Sequence, residues 1–212
     1  MGHQSNADHQ LGRWLSDRRV APYLAATGDV AAKARDLYEW NGRLVGALFE
    51  VVAHVEVLVR NAIHDQMKSA TPDNALHSWL TDADLLQDKQ IQAVQDAVAR
   101  LKRSKKPPTE DRVVAGLYFS FWAAMLGTAY EELWRRSLAK AFPNADNRNQ
   151  LAGPLNQLVQ LRNKLAHHEA LIDEPVAEHL DRALFVAATV DEDAKTWIAG
   201  TSRVLDVLGE RP

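Results

Sequence analysis

The sequence predicts an all-α protein that folds as a single helical domain. Apolar residues recur at helical spacing along most of the 212-residue chain, and no segment shows the strict alternation of a half-buried strand. Breaks that contain proline and glycine divide this periodicity into segments of ordinary helical length. No repeat, low-complexity tract or linker separates the segments. We therefore expect one bundle of about seven to nine helices over residues 1–212, with residues 1–15 as a flexible or loosely packed N-terminus.

The first elements follow from capping and breaking residues. Ser16 is expected to cap a short helix that closes at Gly28, because serine favours the N-cap position and glycine the C-terminal turn. Asp29 is then expected to cap a long helix over about residues 30–69, in which Asn41-Gly42 is a candidate bend.

The remaining elements are separated by prolines and by further capping residues. Thr71-Pro72-Asp73 is expected to break the long helix, and a short turn carrying Trp79 follows it. Pro107-Pro108 ends the next, amphipathic helix. Asp146 is the expected cap of the helix that carries the motif described below. The later helices are predicted over residues 82–103, 109–127 and 128–142, and from about residues 146, 175 and 191 onwards.

Composition restricts the classes of protein to which the chain can belong. Its apolar share of 46% and charged share of 25% are ordinary for a soluble globular protein, and no run of eighteen apolar residues suggests a membrane span. The absence of cysteine excludes disulfides, thiolate metal sites and cysteine nucleophiles. The N-terminus lacks the apolar core of a signal peptide. We expect a cytoplasmic protein without membrane contact.

Charge favours local rather than global binding of nucleic acid. The formal net charge is -3, so any RNA binding must depend on a local basic patch. One basic run is a candidate, and its other interpretation is a solvated helix end before the two prolines. Its members are Arg100, Lys102, Arg103, Lys105 and Lys106.

A nearly all-apolar helical stretch from Val51 to Ile63 contains a few polar residues. Such a helix is buried in a core or an interface, where charges need partners. Glu56 and Arg60 lie four positions apart and can pair along one face. This pair is either a salt bridge that fixes packing, or Arg60 and Asn61 line a cavity shared with the later motif.

The stretch Arg162-Asn163-Lys164-Leu165-Ala166-His167-His168-Glu169 holds the residue types needed to cut RNA without a metal. Arginine holds a phosphate and its developing charge through a planar set of donors. Histidine titrates near neutral pH and can move protons to and from a ribose hydroxyl or a leaving oxygen. The alternative is an ordinary helix end, where histidines interact favourably with the helix dipole and Glu169 pairs with a nearby cation.

Helical geometry constrains how this motif can work. At 100° per residue, Arg162 falls in the middle of an apolar arc, whereas Asn163 and His167 share the polar side with Asn156 and Gln160. Arg162 and His167 then project about 140° apart. Either the helix ends or distorts near Ala166, or two chains each contribute a motif to one cleft, with the apolar arc as a dimer face. The arc consists of Leu151, Leu155, Leu158, Val159, Leu161, Leu165 and Ala166.

The chain resembles the Abi-like family of bacterial abortive-infection proteins, within the wider HEPN superfamily of helical RNA-processing and nucleotide-binding domains. The specific part of the resemblance is Leu161-Arg162-Asn163 followed by Ala166-His167-His168-Glu169. Ala170 departs from the family pattern, in which proline often follows the glutamate. Weaker similarity extends over residues 19–24, 37–41, 55–63, 121–148, 197–204 and 211–212.

The resemblance implies a metal-independent endoribonuclease with an HEPN-like core, built as a homodimer with paired motifs facing each other. Arg162 would bind the scissile phosphate, His167 would act as general acid or base, Asn163 would orient a reacting group, and His168 is an alternative proton carrier. RNA would be the substrate, the products a 2′,3′-cyclic phosphate and a 5′-hydroxyl, and no cofactor or metal is implied. A role in phage defence or as a toxin, with a protein or RNA antitoxin as a further partner, is typical of such proteins.

Two other interpretations remain open at this stage. The same arginine and histidines can recognise RNA, a nucleotide or a protein without cleaving anything, as in inactive HEPN domains. His167-His168-Glu169 can bind a metal only with ligands from elsewhere in the chain. There is no zincin box, P-loop or GxGxxG sequence, so the usual zinc-protease and nucleotide-binding motifs are absent.

Overall fold

A computed structural model describes residues 12–70 and 78–212 of the protein, and it confirms the predicted all-α bundle. Ten α-helices lie wholly within these ranges, more than expected because some predicted helices are divided. Residues 1–11 and the predicted break at Thr71-Pro72-Asp73 lie outside the described residues. The helices are α1 (Asp17–Ala26), α2 (Ala31–Ala70), α3 (Asp88–Arg103), α4 (Glu110–Gly116), α5 (Phe119–Ala124), α6 (Glu131–Arg136), α7 (Arg148–Ala166), α8 (Val176–Val190), α9 (Glu192–Thr201) and α10 (Val204–Gly209).

The helix ends agree only in part with the predicted caps. Gly28 closes α1 with a positive φ of 61°, as expected. The Asp191 side chain caps α9 by accepting a hydrogen bond from the backbone of Ala194 at 2.8 Å, as expected. Ser16 is not a side-chain cap; it has a φ of 69°, and its carbonyl oxygen accepts the first helical bonds.

Three predicted helices are shorter or divided in the structure. The helix expected over residues 82–103 begins at Asp88. The one expected over 109–127 is split into α4 and α5, because Leu117 and Tyr118 have extended backbones. The one expected over 128–142 consists of α6 between 3-10 turns at Thr128–Tyr130 and Leu138–Ala141. A third 3-10 turn, Trp79–Thr81, carries the predicted tryptophan.

The 40-residue helix α2 is the centre of the bundle. It runs without interruption through Asn41-Gly42, so the chain has no helix break at this dipeptide. It packs against α1, α5, α7, α8, α10 and the turn at Leu138–Ala141. Because partners surround it, fifteen of its residues are buried, including Trp40, Leu44, Leu48 and Ile63. This burial matches the nearly all-apolar pattern of residues 51–63.

The C-terminal helices close the bundle onto the middle of α2. The buried indole Nε1 of Trp40 donates a 2.7 Å hydrogen bond to the carbonyl of Val207 in α10. The guanidinium of Arg211 lies 5.3 Å from the centre of the Trp40 ring and donates to the carbonyl of Ile172 at 3.0 Å. These contacts connect the C-terminus with the loop between α7 and α8. None of the helices in the described ranges is long and apolar enough to cross a membrane.

Asn41 is the buried polar residue of α2 that fixes this same loop. Its side-chain oxygen accepts a 2.7 Å hydrogen bond from the backbone N–H of Leu171. Asn41→Leu keeps the approximate volume and removes the acceptor. We expect a loss of roughly 1–3 kcal/mol in the free energy of unfolding, because a buried N–H is left without its partner. Urea unfolding measures this loss. The exposed control Asn156→Leu should change the value by less than about 0.5 kcal/mol, and equal stability of the two variants would contradict the assignment.

Candidate active site at the end of the motif helix

The helix that carries the motif is fixed by its first turn and by its leucines. Asn147, one residue after the predicted cap Asp146, accepts a 3.1 Å hydrogen bond from the backbone N–H of Gln150. Five leucines of α7 are buried against α2, α5 and α8 of the same chain. They are Leu151, Leu155, Leu158, Leu161 and Leu165.

The apolar arc of α7 therefore belongs to the core of its own chain. Val159 is partly buried, and Ala166 is exposed rather than part of the buried arc. The expectation that this arc serves as a dimer face is wrong, because intrachain packing already covers its leucines. The polar side is as predicted: Asn156, Gln160, Asn163 and His167 are all exposed.

The motif helix ends at Ala166, which confirms one of the two geometric options. His167 is the C-terminal cap, and His168 has a positive φ of 52°. The backbone N–H of His168 donates to the carbonyl of Leu165 at 3.0 Å, and that of Glu169 donates to Lys164 at 3.1 Å. This pair of bonds is a Schellman motif, which satisfies carbonyls that a helix end leaves open. As a result, His167 and His168 lie beyond the last regular turn of the helix.

Arg19 of α1 holds this turn from outside. Its Nη1 donates a 2.7 Å hydrogen bond to the carbonyl of His168, and its Nη2 donates to that of His167 at 3.3 Å. Arg19 was noted in the sequence only as part of the family resemblance. Its role could not be predicted, because no local pattern connects residues 149 positions apart.

His167 and His168 line an open cleft between α1 and the end of α7. Its volume is about 660 Å³. Arg18 and Arg19 add positive charge to the walls, and Glu169 adds one carboxylate. Tyr23 lies at the base; burial, with a smaller contribution from Tyr38, raises its pKa to about 12, so its hydroxyl stays protonated at neutral pH. A cleft with these groups suits an anion such as a phosphodiester.

Arg162 lies in different surroundings from the histidines. It is not among the residues that line the cleft. Its Nε lies 3.6 Å from a carboxylate oxygen of Glu56 on α2, which makes an ion pair but exceeds hydrogen-bond length. Among the described residues, this Nε has no hydrogen-bond partner. About a third of the Arg162 side chain is exposed (31%).

Glu56 therefore pairs across two helices rather than along one. The predicted Glu56–Arg60 pair is wrong, because Arg60 turns its Nε to the side-chain oxygen of Asn61 at 3.2 Å. Burial raises the pKa of Glu56, and the positive charges of Arg162 and Arg60 oppose that rise. The structure thus brings Glu56 and Arg60 to the same region as Arg162. A cavity shared by Arg60, Asn61 and the motif stays a prediction. No group of three His, Asp or Glu residues in the described ranges could hold a metal ion.

The family described as Abi-like protein matches residues 26–173, more than two thirds of the chain. The chain belongs to the Abi-like protein family. Membership suggests a role in abortive infection, a form of phage defence. No curated protein and no solved structure shows significant similarity to the chain.

The Abi-like match covers only one wall of the histidine cleft. It includes Glu56, Arg162 and both histidines, and it ends in the loop after them. Arg18, Arg19 and the C-terminal helices lie outside it, although the weaker resemblance in the sequence includes residues 19–24, 197–204 and 211–212. The Abi-like region alone therefore does not account for the cleft.

The loop after the histidines is also held from α8. Lys164 in the last turn of α7 donates a hydrogen bond to Glu174, whose other carboxylate oxygen lies 3.1 Å from Nε2 of His179. The bond from Lys164 lowers the pKa of Glu174, and the same bond raises the pKa of Lys164. Lys164 of the motif thus orders the loop instead of facing the cleft.

Other residues singled out in the sequence lie apart from the cleft. His64, four residues after Arg60, accepts a 3.2 Å hydrogen bond at Nδ1 from Trp79. In the basic run, Lys102, Arg103, Lys105 and Lys106 are exposed at the end of α3, whereas Arg100 makes contacts within the chain. No pattern in the sequence had singled out Arg18.

Removing Arg162 should reveal how much burial disfavours the charged form of Glu56. Without the main opposing charge, the pKa of Glu56 should rise further in Arg162→Ala. Since a raised folded-state pKa stabilises only the protonated form, the variant should lose stability as pH rises above the ordinary glutamate pKa. We expect a loss of roughly 1 kcal/mol at neutral pH and a smaller one in acid. Urea unfolding across pH measures this.

A matched double variant tests the cause. In a Glu56→Gln background, the loss of stability caused by Arg162→Ala should depend little on pH, because no ionisable carboxyl remains at position 56. A loss of stability in Arg162→Ala that is the same at every pH would mean that the arginine acts by packing alone.

Proposed function

We propose that this Abi-like protein is a metal-independent endoribonuclease of the HEPN type that acts in phage defence or in a toxin–antitoxin system. The observation that carries the proposal is the end of α7. Helix termination at Ala166 leaves His167 and His168 exposed in an open cleft whose walls include Arg18 and Arg19. Proton carriers beside cationic groups are what RNA cleavage through the ribose hydroxyl requires.

The proposed reaction is an internal phosphoryl transfer. His167, or His168 in its place, accepts the proton of the ribose 2′-hydroxyl, and that oxygen attacks the neighbouring phosphorus. The bond from phosphorus to the 5′-oxygen breaks, and that oxygen takes up a proton as it leaves. The products are a 2′,3′-cyclic phosphate and a 5′-hydroxyl. Arg162 stabilises the added charge on the phosphoryl oxygens, and Asn163 orients a reacting group by hydrogen bonding.

A site that uses both Arg162 and His167 favours two chains. Within one chain, Arg162 pairs with Glu56 while His167 lines the cleft beside α1. A second copy would place its His167 near Arg162 of the first chain, and its Arg162 near His167 of the first chain. This proposal for the homodimer no longer depends on the leucines of α7, which are buried.

The outer face of α2 beside Glu56 is the proposed contact between copies. At 100° per residue, one arc of about 60° contains Phe49, Ala53, Glu56 and Arg60. Val57 lies next to this arc. Phe49 and Val57 are unusually exposed for apolar residues on the central helix, at 37% and 42%. An apolar contact flanked by Glu56 and Arg60 would bring two Arg162 side chains towards each other. A protein or RNA antitoxin remains a proposed further partner.

The nuclease proposal predicts cleavage that survives a chelator. Purified protein incubated with an RNA pool in EDTA should produce fragments with cyclic phosphate ends, while Arg162→Ala and His167→Ala should each lower the rate by roughly 100-fold or more. Gel analysis with end-group labelling measures this. The control is Lys195→Glu, a change at a partly exposed cation on α9 outside the histidine cleft, and this variant should cut at the wild-type rate.

One observation favours a second candidate, a binding module without cleavage. Arg162 and His167 do not share a cavity in the single chain. If homogeneous wild-type protein cuts no RNA pool while still binding RNA through these residues, the binding module replaces the nuclease.

The dimer proposal predicts a charge-sensitive interface on α2. Phe49→Glu combined with Val57→Glu should convert a dimer to a monomer, because the change buries like charges against each other. Sedimentation velocity at micromolar concentration measures the state. Leu205→Glu, an equally drastic change at an exposed site on α10, should leave the dimer intact. A wild-type protein that sediments as a monomer would contradict the proposed interface.

A further inference from the structure

A second cavity lies between α3 and the beginning of α5, apart from the histidine cleft. Its volume is about 190 Å³, enough for one planar ring system. The lining combines apolar and polar groups. Among the lining residues are Lys89, Gln90, Asp96, Arg100, Tyr118 and Phe121.

Tyr118 is the aromatic residue that this cavity presents to solvent. It lies in the extended link between α4 and α5, and 59% of it is exposed, although most large aromatic side chains of the described residues are buried. The guanidinium of Arg100 lies 5.0 Å from the centre of its ring. Arg100 is itself fixed by a 2.7 Å hydrogen bond from its Nη2 to the carbonyl of Gly116. The ring is therefore held in place while much of it remains accessible.

Cations continue from the cavity along the same face of α3. By helical geometry, one face of α3 carries the cations Lys89, Arg100 and Arg103 together with Asp96, since these residues are separated by three, four or seven positions. Arg103 is exposed in the last turn, next to Lys102. Lys105 and Lys106 follow in the exposed segment after the helix. An accessible aromatic ring beside a row of cations is the arrangement that proteins use for single-stranded nucleic acid.

We propose that this cavity is a docking site for single-stranded RNA, with one base stacked on Tyr118 and the adjoining phosphates held by Arg103 and by Lys106 after the helix. Asp96 lines the cavity. Its carboxylate can accept a hydrogen bond from the amino group of an uncharged base, whereas it would repel an acidic side chain in the same place, so we favour RNA over an acidic peptide. The inference rests on the proposed function in one respect, namely that RNA is the substrate. It adds a place where the substrate strand is held away from the reacting groups.

Binding can be measured separately from cleavage. All binding variants are made in a parent protein that carries Arg162→Ala. Fluorescence anisotropy measures how this protein binds a labelled single-stranded oligoadenylate in EDTA. Tyr118→Ala should weaken binding about tenfold or more, because base stacking is lost. Tyr118→Phe keeps the ring and should bind like the parent. Arg103→Glu with Lys106→Glu should weaken binding and flatten its salt dependence. Lys195→Glu should change neither quantity, and circular dichroism checks that each variant is folded.

The outcomes separate this inference from the nuclease proposal. If oligoadenylate binding depends on Tyr118 and the wild-type protein never cleaves RNA, the docking site is supported and the nuclease proposal is removed. If the wild-type protein cleaves RNA and this cleavage depends on Arg162, but Tyr118→Ala binds oligoadenylate like its parent, only the docking site is overturned. Equal weakening by Tyr118→Phe and Tyr118→Ala would overturn stacking as the cause. Tyr118-dependent binding of polyglutamate without binding of the oligonucleotide would assign the cavity to an acidic protein partner.

Discussion

The burial of α2 is the constraint on which the other helices depend. Residues 51–63 of this 40-residue helix are apolar on nearly every side and need to be covered, and α1, α5, α7, α8 and α10 all pack against the helix. Two polar side chains interrupt this apolar surface with consequences for the site. Asn41 binds the loop after the histidines, and Glu56 pairs with Arg162. The same helix therefore organises the core and positions both ends of the motif.

Features governed by neighbouring residues could be predicted from the sequence. Helical periodicity gave the fold class, Gly28 and Asp191 gave helix ends, and the polar side of α7 emerged where its spacing indicated. Features that depend on distant residues could not be predicted. The spacing of Glu56 and Arg60 suggested a pair, but the competing partner Arg162 lies more than one hundred positions away and has no local signature. The division of the helix at Leu117 and Tyr118 was missed for a similar reason, because the carbonyl of Gly116 is satisfied by Arg100 from another helix.

The candidate site combines a rigid backbone with accessible side chains. Hydrogen bonds from Arg19 and within the Schellman motif fix the carbonyls around His167 and His168, while their imidazoles remain in the cleft. Arg162 is restrained differently, by a partly buried carboxylate whose charge is disfavoured by its surroundings. The backbone around the histidines and the side chain of Arg162 are therefore held by two separate sets of contacts. Family membership by itself supports phage defence and is silent on this chemistry.

The positive φ of His168 has a consequence for mutagenesis. Left-handed backbone is uncommon for residues with a Cβ, and asparagine tolerates it better than alanine does. An alanine at this position would remove the imidazole and strain the turn that carries its neighbour, so a loss of activity would have two causes that cannot be told apart. Asparagine keeps the turn while removing the titrating ring. Which of the two histidines carries the proton is therefore a question for asparagine scanning rather than for alanine scanning.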